Sequence, residues 1–493
     1  MPGKKTKQVD DKRKAGLGSA MDGISRLETD VVVVGAGIAG CMAAVAAADA
    51  GVKVIILEKM KDVFEAPPGF NNAKGNDTVK SGGGWGALFP YPFPETSTVD
   101  DVIKTGMEIS GGRAFPDVCK ALWSRLNDDF LWLKDTAKLP LKDRSTALRP
   151  NSFVTVGKGP GTARFGLSYA EAKGVKILYR HKAQKLLTDA RGRVVGVRAM
   201  AAEGLKNVVA RAVILATGGF QGNEEMKLKY LGRDVTIGTL LTGSPWNTGD
   251  GHRMALGIGA KMVNMDTLHT RWCTHVTGHN PHRTIGVYGI YLNTLGKRYV
   301  DEAGSSNETS LATAHQPGSI CALLIDAKVK RLDLVAEGVR SLKLEKSGEL
   351  MKSHTLEGVA NRIGVDAVML KRTVSDFNAA VNETEHRALV AHPAKGGERA
   401  TAYRIEKPPF YFLYPLHAGL NHTMGGPLVN KKCQVLSDED RVIPGLYAVG
   451  ALAFGFMDGL YHITEMVSGL ELALTMGRVA GMHAAADVKR STS

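Results

Sequence analysis

Near both ends of the chain the apolar residues fall in short unbroken runs, punctuated by glycine. Val31–Val34 is four β-branched residues in succession, as in a parallel-sheet strand buried on both faces. Cys41–Ala50 is rich in good helix formers and closes at Gly51. Val54–Leu57 is a second apolar strand that ends at Glu58. The pattern predicts a βαβ unit over Thr29–Lys59. Residues 69–90 read as a Gly/Asn/Ser-rich loop and residues 95–145 as helices of mixed polarity. Two alternating runs follow, Lys176–Tyr179 and Val194–Arg198, joined through the turn Asp189–Gly192. Arg211–Ala216 is another buried strand.

Between about 266 and 416 the texture changes to tyrosines, histidines and short helices, with an amphipathic stretch over His354–Val374. From His417 the βα pattern resumes with a strand at Leu446–Gly450 and a helix at Gly469–Ala484. The expected fold class is α/β. Residues 29–265 and 417–488 make one Rossmann-like domain from both chain ends, residues 266–416 form an inserted α+β capping domain, and residues 1–28 are a flexible basic arm.

Composition narrows the function. The chain has 493 residues, 44% hydrophobic and 23% charged, which is globular. The balance of 63 basic against 49 acidic residues leaves +14, but no recognised module supports a nucleic-acid partner, and none is expected. Five cysteines without a CxxC pair support neither a disulfide framework nor a zinc site. No apolar signal segment opens the chain, so the cytoplasm is the expected location. Val31–Ala48 carries no charge, yet Gly35, Gly37 and Gly40 break it, so no membrane span is expected. Nothing suggests a catalytic metal.

Gly35-Ala-Gly37-Ile-Ala39-Gly40 lies between strand and helix, and Glu58 follows at the end of the next strand. Such glycines permit a tight turn, backbone approach to a pyrophosphate, and close helix packing. The helix N-terminus offers free amides and a positive dipole end to the phosphates. Glu58 can accept both hydroxyls of an adenosine ribose, and it argues against NADP, whose 2′-phosphate it would repel. Lys59 adjoins it. A second strand-to-turn segment, Arg211-Ala-Val-Ile-Leu-Ala-Thr217-Gly218-Gly-Phe220, resembles the ATGG segment with which flavoproteins of the two-dinucleotide-domain type return to the cofactor, and this resemblance implies FAD rather than NAD.

With these motifs stand Thr248-Gly-Asp250-Gly251, Leu292-Asn-Thr-Leu-Gly-Lys-Arg-Tyr-Val-Asp-Glu302, His422-Thr-Met-Gly-Gly426, Gly445-Leu-Tyr-Ala-Val-Gly450, and Ser468-Gly-Leu470 with Gly477-Arg478. In order and spacing the chain resembles the fumarate reductase/3-ketosteroid Δ1-dehydrogenase superfamily of FAD flavoproteins over roughly residues 29–485. The resemblance implies a FAD domain built from both chain ends and a mobile cap. It implies that Gly35, Gly37, Ala39 and Gly40 hold the pyrophosphate, and that Ser81, Gly82 and Gly83 lie against the flavin. It places Ala183 at adenine, Thr217, Gly218, Gly450 and Ala451 along the cofactor, and Asp250 near the ribityl–phosphate region. Backbone amides of Ser468, Gly469 and Leu470 are expected at the pyrimidine edge of the flavin, where charge develops on reduction.

The chain departs from that pattern in several places. Ala451 stands where the family usually has Glu. Asn76, Asp77 and Thr78 occupy the region where covalent members carry a histidine, so noncovalent FAD is expected. Ser306 and Thr464 replace the two arginines with which fumarate reductases protonate and clamp their substrate. A non-dicarboxylate, ketone-like, cyclic or aromatic small molecule is therefore expected.

The candidate catalytic residues are Tyr461, His462, His422, Tyr288 and Tyr291, any of which suits proton transfer beside a carbonyl. His282 and Arg283 lie just upstream of Tyr288, and Glu465 is an acid or a helix cap. The expected activity is FAD-dependent α,β-dehydrogenation or ene reduction next to a carbonyl, with an electron acceptor or donor that the chain does not identify. The alternative is a flavin-dependent isomerase with no net redox.

Overall fold

The computed structural model describes residues 24–65, 75–85, 98–109, 111–145, 152–274, 280–282, 284–302, 304–381, 402–458 and 469–490. In chain order, the elements around the site begin with strand β1 (Val31–Val34), helix α1 (Ile38–Asp49), and strands β2 (Val54–Leu57), β3 (Lys176–Leu178) and β4 (Ala212–Leu215). Strands β5 (Leu268–Thr274), β6 (Ile290–Asn293), β7 (Ile320–Ile325), β8 (Phe410–Thr423) and β9 (Val442–Ala448) follow, and helix α2 (Gly469–Arg490) closes the series.

Both chain ends contribute to one six-stranded sheet, ordered Gln434–Leu436, β9, β4, β1, β2, β3. All neighbours from β9 to β3 are parallel. β1 sits at the centre, with Val31 beside Ala212 on one side and Val54 on the other. All four of its valines are buried, as an uninterrupted apolar run requires when helices cover both faces. α1 packs along α2 through small residues. A Cβ added at Gly477 would lie 2.4 Å from the Ala39 carbonyl oxygen, and one at Gly481 would lie 2.2 Å from that of Ala43. Only glycine lets the two backbones come so close, and this contact locks the end of the chain onto its beginning.

A second, mostly antiparallel sheet runs Thr239–Leu241, β8, β7, β6, with β5 and Leu350–Ser353 also paired to β8. The long strand β8 is its spine. The β5–β8 register sets His269 opposite His422 and Arg271 opposite Gly419. Because side chains alternate along a strand, His269 and Arg271 share one face of β5 while Thr270 and Trp272 take the other. Thr270 and Trp272 are buried against the helix Ser306–Ala314, bonding to Asn307 and Thr309.

Several local expectations need correction. Ser25–Glu28, assigned above to the arm, is a strand parallel to Gly204–Val209. Lys176–Leu178 is not half of a hairpin but joins the parallel sheet beside β2. The hairpin partner of Val194–Ala201 is Lys182–Thr188, whose polar composition hid it. Its turn is held by Asp189, whose carboxylate accepts from the Arg191 and Arg193 amides at 2.8 and 3.0 Å. The amphipathic stretch 354–374 is two helices, Leu356–Ile363 and Ala367–Ala380, separated at Gly364. Thr355 and Asp366 cap them through Gly358 and Met369.

Candidate active site

One long cavity runs along the C-terminal edge of the parallel sheet and reaches the second sheet. At one end the wall is built on a glycine turn. Gly35 has φ +108°, and a Cβ there would meet the Ala216 carbonyl oxygen at 2.4 Å, so the turn out of β1 admits only glycine. Gly40 does not itself line the cavity; a Cβ on it would strike the Gly35 oxygen at 2.0 Å. α1 has Gly37 at its N-cap, whose lack of a side chain leaves the first-turn amides uncapped by it, and Gly37, Ile38 and Ala39 line the cavity. The Thr78 hydroxyl accepts one of them, from Ile38, at 3.0 Å.

Glu58 is buried at this end, 6% exposed. Its carboxylate accepts from the Ala36 amide at 2.9 Å and from the Met60 amide at 3.0 Å, which ties the glycine turn to the end of β2. Burial raises its pKa above the ordinary value, opposed by those two amides and by Lys59. Lys59 bonds Asp250 at 2.6 Å, and Arg253 and Lys182 add contacts at 2.7 and 3.7 Å. For Asp250, burial works upward, but Lys59 and Lys182 outweigh it and hold the carboxyl below its usual value. His181, Lys182 and Ala183 complete this end.

At the other end the wall is side chain. Ser81–Gly84 crosses the floor, and a Cβ added at Gly82 would meet nothing within 4 Å. Asp77, on the short helix before this loop, accepts from the Ser244 amide at 3.0 Å and from Gln221 at 3.2 Å, and Asn247 is also bonded to it. Burial lifts its pKa to about 6. Arg271, Asn421 and His422 enter from β5 and β8. The Asn421 amide donates to Nδ1 of His269 at 3.2 Å and of His422 at 3.4 Å, and the two rings lie 5.0 Å apart.

The sequence-derived cofactor residues converge here. Gly35, Gly37, Ala39, Glu58, Lys59, Ser81, Gly82, Gly83, Ala183, Thr217, Gly218, Asp250, Gly450, Ala451, Gly469 and Leu470 all line the cavity. Ser468 lies outside the described residues, as do Tyr461, His462, Thr464, Glu465 and Arg283. His422 lines the cavity. Tyr291 does not: it is fully buried on β6 of the second sheet, stacked on Trp272 at 4.2 Å and bonded to His282 at 3.0 Å. Burial pushes its phenol far up, so it holds its proton. Tyr288 packs near Tyr403 in the same core, also off the cavity. Ser306 sits at the start of its helix, its hydroxyl accepting from Asn280 at 3.0 Å.

Sequence reading missed Asp77, Lys80, Asn247 and Arg271 as cavity residues. For Arg271 a signal existed: it stands two residues after His269 on a strand that pairs with the His422 segment. The Asn421–His269 bond across that pairing spans 152 residues, and no local pattern announces it.

The cavity suits a long polar cofactor. Asn76 Nδ2, His181 Nε2, Thr217 Oγ1 and Arg271 Nε are buried without a hydrogen-bond partner, and all four residues line it. Buried polar groups are normally satisfied, so such a concentration marks a place where a polar molecule binds. The glycine turn, the open amides and Glu58 fit the phosphates and ribose of FAD. Among the described residues no group of three His, Cys, Asp or Glu could hold a metal ion, and no helix is long and apolar enough to cross a membrane.

Comparison with known proteins agrees. The FAD binding domain family matches residues 30–464. A urocanate reductase of Eggerthella lenta is 30% identical, over 96% of this chain and 77% of its own length. The open conformation of a flavocytochrome c3 fumarate reductase superposes with a TM-score of 0.69 at 25% identity, covering 97% of this chain and 81% of that one. The 3-ketosteroid-Δ4-(5α)-dehydrogenase of Rhodococcus jostii RHA1 has the same fold, with a TM-score of 0.71 at 24% identity over 93% and 97% of the two chains. The chain therefore belongs to the FAD binding domain family and is a FAD-dependent oxidoreductase acting on carbon–carbon bonds.

Proposed function

We propose that this enzyme dehydrogenates or reduces the C–C bond next to a carbonyl in a non-dicarboxylate, cyclic or ketone-like small molecule. The observation that carries this reading is the meeting of His422, Asn421 and Arg271 with the Ser81–Gly84 floor in one cavity. Bound FAD supplies hydride acceptance or donation at that floor. The side-chain wall orients the substrate and handles the proton. With Asn421 donating to Nδ1, the neutral His422 ring carries its proton on Nε2. That N–H suits holding the carbonyl oxygen as enolate charge develops, while the proton of the α-carbon passes to or from a second side chain. Tyr461 and His462 are proposed to share this task.

FAD is proposed to bind without a covalent link. Residues 76–78 include no histidine, and the Asp77 carboxylate is already taken by three donors. The proposed partition keeps residues 29–265 and 417–488 as the FAD domain and 266–416 as the cap. Its seam lies within β8, which begins at Phe410 and ends at Thr423 against the cavity. All five cysteines are buried thiols, which suits the proposed cytoplasmic location. The electron partner is proposed to be a separate carrier.

Anaerobic mixing of dithionite-reduced holoenzyme with enones and enoates tests the reading. Reoxidation of the flavin is expected, slowed by roughly 100-fold or more in His422→Ala at unchanged FAD content. Turnover with neither oxygen nor any electron acceptor would mark an isomerase and overturn it.

A further inference from the structure

Among the cavity's orphaned polar atoms, His181 Nε2 differs in kind. Asn76 Nδ2 and Arg271 Nε are donors, and the Thr217 hydroxyl serves either way. The sense of the His181 atom is fixed by its own ring. Nδ1 lies 2.7 Å from the Tyr179 carbonyl oxygen. A carbonyl only accepts, so Nδ1 carries the ring proton and donates it there. In the neutral ring Nε2 is then a bare lone pair. It is buried, its residue lines the cavity, and it finds no hydrogen-bond partner among the described residues. The backbone sets where this lone pair sits. β3 ends at Leu178, whose carbonyl accepts from the Glu58 amide at 2.9 Å. The chain then turns through Arg180, which takes the left-handed region at φ +56°. The Arg180 amide donates to the Met60 carbonyl at 3.0 Å, and the His181 amide to the Glu58 carbonyl at 2.9 Å. The residue is thereby pinned to the acid expected to take the ribose.

A buried acceptor calls for a donor on whatever fills the cavity. On the adenosine half of FAD the phosphates and the adenine ring nitrogens only accept. The donors are the ribose hydroxyls, which Glu58 is expected to take, and the 6-amino group of the base. We propose that His181 Nε2 accepts a hydrogen bond from that 6-amino group and so selects an adenine dinucleotide over one whose base lacks the amine. A site built around a hydrogen bond rejects the analogue that cannot make it, because its own buried group is left unpaired. His181 is then a specificity residue for the cofactor. This goes beyond the proposed function: it rests on the FAD site alone and holds whatever substrate the enzyme takes.

The test is a competition for the purified holoenzyme in mildly alkaline buffer, which keeps the imidazole neutral. FAD competes at equilibrium with its analogue carrying purine in place of adenine, and separately with its 2′-deoxyadenosine analogue. The bound dinucleotides are released with acid and their ratio is measured by chromatography. The wild type is expected to favour FAD over the purine analogue by about 10- to 100-fold. His181→Phe keeps a ring without an acceptor and is expected to hold the two equally. His181→Gln also lacks the imidazole Nδ1, but its amide oxygen accepts, so part of the preference remains; it serves also if the phenylalanine variant does not fold. Equal binding of FAD and the purine analogue by the wild type, or a preference undiminished in both variants, would overturn the assignment. So would a preference for FAD over the 2′-deoxy analogue that His181→Phe abolishes, since the lone pair would then read the ribose. A protein that holds none of the three dinucleotides would overturn the FAD site with it. One that shows the stated preference, yet whose flavin exchanges electrons with no enone or enoate, would sink the C–C redox reading and leave this one standing.

Discussion

Around Gly35 and Glu58 the cavity wall is backbone held by close glycine packing and one buried carboxylate, whereas around Arg271 and His422 it is side chain carried on two strands far apart in sequence. The first wall leaves almost no freedom. The Gly35 φ, the Ala216 carbonyl and the paired amides on Glu58 constrain one another, and a phosphate or ribose hydroxyl needs little else. The second wall can change residue by residue without disturbing the sheet beneath it. Conserving the electron carrier and varying what meets it is how one fold serves many substrates.

The comparison breaks most visibly at the glycine wall. Gly40→Ala would force a Cβ to 2.0 Å from the Gly35 oxygen. It is expected to cost roughly 1–3 kcal/mol and to yield protein without bound flavin, which absorbance after purification reads directly. Next comes Glu58→Ala, which frees the Ala36 and Met60 amides. Its expected effect is a loss of FAD affinity of about 10- to 100-fold, measured by fluorescence titration of the apoprotein.

The side-chain wall should answer to pH instead. Asp77 titrates near 6 in the fold against an ordinary 3.8. An acid raised in this way binds its proton more tightly when folded. The fold is therefore weakened while Asp77 is ionised, above about pH 6, and gains stability as pH falls through 6 toward 3.8. The Tm of the apoprotein, relative to Asp77→Asn, is expected to rise between about pH 7 and about pH 5. The smallest effect belongs to a residue on neither wall. Tyr291→Phe loses the bond to His282 and is expected to cost about 1 kcal/mol in denaturant melts, with the flavin spectrum and kcat unchanged.

The same division decides what could be read from the amino-acid order. The glycine turn, Glu58, the Thr217-Gly218 turn and the Gly469 helix start are local devices, each written in a few consecutive residues, and they lie together in the cavity. Tyr291 had the right chemistry but the wrong face. Its strand is covered on both sides, and four buried residues in a row gave no alternation to tell cavity from core. Arg271 escaped notice because its meaning lies in the β5–β8 register and in the lack of a partner, and neither is local.

The central claim is that this cavity holds a dissociable FAD that trades electrons with an unsaturated carbon–carbon bond. The most direct measurement takes the purified holoenzyme, releases its chromophore with acid, and follows anaerobic reoxidation of the reduced protein by an enoate or enone. The account predicts stoichiometric free FAD and rapid return of the oxidised spectrum. A colourless protein that refuses reconstitution, or a reduced flavin indifferent to every such compound, would contradict it.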